Sequence, residues 1–214
     1  MSGSTELSLT FRGQVFTDPQ MGMQAVGNAL TSGVTQSASK LSTELKAFLT
    51  NLAVQLAAKH GGGWPGGTTA STLSRRSGTL VQALLDGVKV SGMSIGSLQG
   101  SMSGPDYMMV QEFGATISAG GSRYLAIPLP AALTSNGLPL KQSPRDWGKT
   151  FIAMSRAGNL LIFQKQGAEI VPLYLLKNAV TIRPRLGARQ ALKDGLPYFA
   201  QRAVDVVSAS IRGQ

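Results

Sequence analysis

Between residues 20 and 60 the apolar side chains Val26, Leu30, Val34, Ala38, Leu41, Leu45, Phe48, Leu52 and Leu56 recur at steps of four or three. That spacing places them on one face of an α-helix. Gly61, Gly62 and Gly63 follow and stop it, because glycine extends a helix poorly and accepts the conformations that end one. A helix of some 40 residues reaches about 60 Å, too long for one face of a compact domain of this mass. Either part of it meets other subunits or it is two helices. Gly27 and Gly33 are where a break is expected, each glycine costing about 1 kcal/mol against alanine.

The remaining elements are shorter. Leu7, Leu9 and Phe11 alternate and predict a strand within residues 5–16, after which Asp18 and Pro19 offer the helix start. Residues 61–76 read as a flexible loop. Residues 77–87 predict a short helix capped by Ser77, and residues 88–103 a β-hairpin. Residues 105–113 predict a helix with Pro105 near its start and Gly114 closing it. Residues 122–129 read as extended, and 130–149 as a long Pro/Ser/Gly loop around Trp147, a contact arm or an unstructured stretch. Strands over 150–155 and 159–164, turned at Ala157-Gly158, lead into one or two more over 170–183. Leu192, Leu196, Phe199, Ala203, Val207 and Ile211 then mark a C-terminal helix, which Pro197 is expected to kink or to restart after Asp194. Without βαβ alternation the class is α+β: an antiparallel β-sheet packed with a long N-terminal helix and a C-terminal helix. A single domain over residues 1–214 is expected, with long loops near 61–76 and 130–149.

Charge narrows what such a chain does. Only 14% of residues are charged, against about 25% in an average soluble domain, so much of the surface is expected to be covered by neighbours. The net charge is +10, and residues 141–214 hold 12 of the 20 basic residues but 4 of the 10 acidic ones. A basic segment of this kind faces DNA, an acidic protein or simply solvent. Lys177, Arg183, Arg185, Arg189 and Lys193 form its densest part and are candidates for contact with DNA or an acidic partner. With few aromatics interleaved and no reading module, any DNA contact is expected to be non-specific. Trp64 and Trp147 sit in Gly/Pro-rich loops and are either interface anchors or lids on the local core. There is no cysteine, as suits a reducing compartment. The opening Met-Ser-Gly-Ser-Thr-Glu has no basic or apolar leader character, and no apolar run approaches a spanning length; neither a secretory leader nor a membrane segment is expected.

Motifs that carry chemistry fail on their context. Gly92-Met93-Ser94-Ile95-Gly96 matches a nucleophile elbow, but that motif needs a strand before it, a helix after it and a later histidine. The only histidine is His60, upstream, so a glycine-rich hairpin explains the match better. Ser37-Ala38-Ser39-Lys40 matches S-x-x-K without the companion motifs, and polar positions on a helix suffice for it. Gly148-Lys149-Thr150 ends like a phosphate-binding loop, but position 143 is Ser143 and a strand follows, so the cradle of amides is missing. One histidine, no cysteine and scattered carboxylates cannot assemble a metal site. Glu112 and Asp106 could pair as acid and base, though nothing separates them from helix-surface charges. No enzyme activity, cofactor or small-molecule substrate is expected.

Three segments in order carry a resemblance. Arg76-Ser77-Gly78-Thr79-Leu80 precedes a Val/Lys-rich strand. Tyr107-Met108-Met109-Val110-Gln111-Glu112-Phe113-Gly114 is followed by Tyr124-Leu125-Ala126-Ile127-Pro128-Leu129. Pro172-Leu173-Tyr174-Leu175-Leu176-Lys177 and Val180-Thr181-Ile182-Arg183-Pro184-Arg185-Leu186 precede the last helix. Together they resemble the Arg-Thr-Gly-x-Leu, Tyr-Ala-x-x-x-Glu-Phe-Gly and Arg-Pro segments of the neck and tail-completion proteins of long-tailed bacteriophages, the minor tail or virion-morphogenesis family. The family-like positions are Arg76, Ser77, Gly78, Leu80, Tyr107, Glu112, Phe113, Gly114, Arg183 and Pro184. Met108 stands where the family has a small residue, and RPRLG replaces RPFL. The resemblance implies a structural virion protein that forms a ring homo-oligomer, six copies being the expected number. It would join or cap the tail at the head–tail interface and touch other neck and tail proteins. It would be assembled in the bacterial host cytoplasm, with non-specific contact to packaged DNA as the alternative use of the basic third.

Overall fold

A computed structural model describes residues 9–11 and 13–212. In chain order these form β1 (Leu9–Phe11), β2 (Gln14–Phe16), α1 (Pro19–Lys59), α2 (Thr79–Asp86), β3 (Val88–Ser91), β4 (Gln99–Met102) and α3 (Tyr107–Phe113). Next come β5 (Ala115–Ser118), β6 (Leu125–Pro128), β7 (Thr150–Met154), β8 (Leu160–Gln166), β9 (Glu169–Lys177), β10 (Ala179–Ile182) and α4 (Ala188–Arg212). The class is α+β, every named strand pair is antiparallel, and long helices stand at both ends. Among the described residues no helix is long and apolar enough to cross a membrane. Contacts gather into two compact units. One comprises 1–51, 88–102 and 192–214, the other 52–87 and 103–191.

In the first unit α1 runs on through Gly27 and Gly33 without the expected break. Helix propagation adds a backbone bond at each residue, and two glycines in 41 residues do not outweigh that series. Helices α1 and α4 pair antiparallel. Lys40 Nζ donates to Ser210 Oγ at 3.3 Å, Arg202 meets Glu44 at 3.2 Å, and the Phe48 and Phe199 rings stack at 5.3 Å. Ala38, Leu41 and Leu49 are buried. Pro197 neither ends nor restarts α4. It removes one backbone donor, while Gly195 and Phe199 on either side of it are both held against Phe48. Strands β3 and β4 form the expected hairpin, and a methyl at Gly100 would meet Leu49 at 2.5 Å, so β4 lies close on α1. The stretch read as one strand over 5–16 is a hairpin of β1 and β2 turned at Gly13. Leu7 lies outside the described residues, as does the side chain of Ile211.

In the second unit a four-stranded sheet runs β6-β9-β8-β7, and β10 pairs with β5 apart from it. The segment 170–183 is thus two strands in two sheets. Proline is rare in a central strand because it lacks the donor. Pro172 is tolerated in β9 because the ladder shifts register there, opposite Ile162 and Phe163. Ala132, Leu173 and Tyr174 form a buried cluster on which Ala126, Trp147, Ile162 and Val171 pack. A fully buried leucine such as Leu173 contributes about 2–3 kcal/mol. The 130–149 segment is therefore not an unstructured arm. It holds short 3-10 turns at Pro130–Ala132 and Pro144–Asp146, and a bridge between Leu133 and Pro139. The 61–76 loop is likewise closed, by a Gly63–Arg75 bridge and an Arg75 N–H bond to the Gly62 carbonyl.

Candidate functional site

The second unit contains a cavity of about 480 Å³, within the range of small-ligand sites. It is built where the three family-like segments meet. Segment 76–80 enters α2, whose N-cap is Gly78 rather than Ser77. Gly78 sits at φ +84°, and the Ser77 hydroxyl instead takes the Thr79 N–H at 3.3 Å. Glycine suits that left-handed position because it has no Cβ to clash.

Segment 107–114 holds segment 183–186 and the start of α4. The Gln111 carbonyl accepts from Arg185 N–H at 2.7 Å and Leu186 N–H at 2.9 Å. The Glu112 carboxylate accepts from Ala188 N–H at 2.8 Å and Arg189 N–H at 2.9 Å. These two amides are orphans of the first turn of α4, and a negative charge there also meets the positive end of the helix dipole. Glu112 is thus a helix cap, not a helix-surface charge. Gly114 has φ +74°, and a methyl on it would lie 2.9 Å from the Ile182 carbonyl and 3.0 Å from Pro184. A side chain at position 114 would therefore collide with the turn at Pro184.

His60, a residue that sequence reasoning weighed only as a base and set aside, clamps the opposite side. Its ring is buried. Nδ1 accepts from Leu73 N–H at 3.1 Å, and Nε2 lies 2.9 Å from the Leu186 carbonyl. Both bonds are satisfied only by the neutral ring carrying its proton on Nε2. Burial lowers the imidazole pKa below the usual histidine value, opposed by the bond to Leu186 and assisted by the charge of Lys59. Its partner Leu186 lies 126 residues away, which no local spacing signals.

Arg75, Arg76 and Arg185 line the cavity with Tyr107 and Gln111, and among the described residues no aspartate or glutamate does. The Arg76 guanidinium lies 5.5 Å over the Trp64 ring and donates to the Gly137 carbonyl at 3.1 Å. Gly137 gives Trp64 its room, since a methyl there would come within 2.7 Å of the indole. Trp147 donates from Nε1 to Tyr174 Oη at 2.9 Å. Both tryptophans, read as either interface anchors or lids on the local core, make these contacts within their own unit. Partial burial raises the Tyr107 phenol pKa above its ordinary value.

The other candidates scatter. Of the basic run, Arg185 turns to the cavity and Lys177 Nζ donates to Asn159 at 3.4 Å. Arg183 and the Arg189 side chain are exposed, and Lys193 belongs to the first unit. Leu80 and Tyr107 line the cavity, whereas Phe113 is exposed. Ser94 caps a short 3-10 turn inside the β3–β4 connection, its hydroxyl 2.8 Å from that of Ser97. The Ser37 hydroxyl donates to the Gly33 carbonyl within α1. Among the described residues no three histidine, aspartate or glutamate side chains converge. Comparison of the chain with protein-family models, curated proteins and solved structures finds no match.

Proposed function

We propose that this chain is a structural subunit of a tailed bacteriophage particle, a ring-forming neck or tail-completion protein that joins or caps the tail by burying surface against copies of itself and adjoining virion proteins. The observation that carries the reading is the meeting of the three resembling segments around one cavity. Each is degenerate alone, yet residues 76–80, 107–114 and 183–186, spread over more than half the chain, contact or face one another in one unit. Segments selected together for one structural role are expected to meet in this way.

The surface supports assembly as the mode of action. In the first unit α1 begins at Pro19, well before Lys40, which bonds to Ser210 of α4. In that stretch Met21, Met23, Leu30 and Val34 are 61, 68, 49 and 45% exposed. In the second unit β7 is an edge strand with Ile152 and Met154 60 and 70% exposed. An apolar edge strand and an apolar helix face both invite a partner.

Light scattering and negative-stain imaging of the purified chain test this. Closed rings of several copies are expected, and a phage lacking the chain should accumulate unjoined heads and tails. A chain that stays monomeric at high concentration, together with complete infectious particles in its absence, overturns the proposal.

A further inference from the structure

The cavity of the second unit has a chemistry that virion assembly by apolar burial does not use. Three arginines line it, with no carboxylate from the described residues beside them in the lining. Arg185 Nε and Gln111 Oε1 are buried side-chain atoms with no hydrogen-bond partner, an arrangement that a folded chain keeps sparingly because each such atom carries an uncompensated desolvation penalty. The first turn of α2, where the N-cap Gly78 offers no side chain and the Ser77 hydroxyl takes the Thr79 N–H, lies in the same wall. Its backbone amides and dipole favour negative charge. Arginine forks and peptide amides together recognise a planar or tetrahedral oxyanion.

The rest of the wall decides what carries the oxyanion. Leu73, Leu80, Val81 and Leu138 supply apolar surface, and the volume of about 480 Å³ is far more than a bare ion fills. A duplex nucleic acid is too wide to enter a cavity of that size. We propose that this cavity is a binding site for a carboxylate-bearing segment of another polypeptide, with the carboxylate held by Arg76 and Arg185 and the aliphatic portion of the segment lying on the leucines and Val81. The carboxylate comes either from an acidic side chain or from a chain end. The net charge of +10 steers an acidic partner toward this surface. The inference is independent of the virion reading, since a monomeric protein could hold such a site as well.

Calorimetric titration of the full chain tests it with three probes: a short Asp/Glu-Leu peptide with a free C-terminus, the same peptide amidated, and sodium phosphate. The free peptide is expected to bind saturably. Binding that survives amidation assigns an acidic side chain, and binding lost on amidation assigns the chain end. Arg76→Gln and Arg185→Gln are each expected to weaken binding about ten-fold or more, as loss of a charge-assisted bond does. Should Arg185→Gln fail to fold, the exposed Arg75→Gln provides the comparison, with a smaller expected loss. No saturable peptide binding, peptide affinity unchanged in all the arginine variants that fold, or a site that phosphate fills and the peptide does not, each overturns the proposal.

Discussion

Glu112 and His60 act at the scale of single residues, and each fastens the 183–189 segment from a different side. Glu112 accepts two backbone donors at the start of α4, so Glu112→Ala leaves both amides orphaned. The expected loss is about 2 kcal/mol, read as a lower urea midpoint with an unchanged slope; Glu112→Gln should retain part of it. His60 predicts a pH dependence. Its folded pKa lies below the unfolded value, with burial as the main cause, so the folded state prefers the neutral ring. The corresponding stability is present above the unfolded pKa of about 6.5 and is lost as the pH falls through the lower folded pKa. Protonation would also break the bond from Leu73 to Nδ1. Denaturation midpoints measured from pH 7.5 to 5.5 should therefore fall, and His60→Asn should flatten that profile. With one histidine in the chain, the imidazole resonances report the folded pKa directly.

At the scale of elements, the helices and strands carry their own explanations, while their exposed faces ask for partners. The stripe on α1 is one pattern in sequence but two environments in the fold. Ala38, Leu41, Leu52 and Leu56 are buried, whereas Leu30 and Val34 stay exposed. The double change Leu30→Lys with Val34→Lys should leave the melting temperature within a few degrees, because exposed positions contribute within about 0.5 kcal/mol. It should reduce self-association measured by light scattering, if α1 docks against another copy. Periodicity made α1, α2, α3, the β3–β4 hairpin and the β7–β8 pair legible, since each has a local repeat. It failed at Gly27, Gly33 and Pro197, where a local penalty is outweighed by helix propagation and by packing of α1 against α4. It failed also at 130–149, where Trp147 finds its partner Tyr174 far along the chain.

At the scale of the whole molecule, electrostatics separates self-assembly from partner binding. Copies of a chain with net charge +10 repel one another, and salt shortens the reach of that repulsion from about 30 Å at 0.01 M to about 8 Å at 0.15 M. Self-association followed by sedimentation should therefore strengthen as salt rises over that range, while binding of an acidic peptide should weaken. The sequence by itself determined the α+β class, most element positions and the excess of positive charge, because periodicity and composition are local or additive properties. Only the tertiary structure decided that Glu112 is a cap and that His60 is a neutral clamp. It alone gathered three arginines around one cavity. Those roles depend on which backbone amides and carbonyls arrive beside a side chain from dozens of residues away, and no spacing along the chain encodes that arrival.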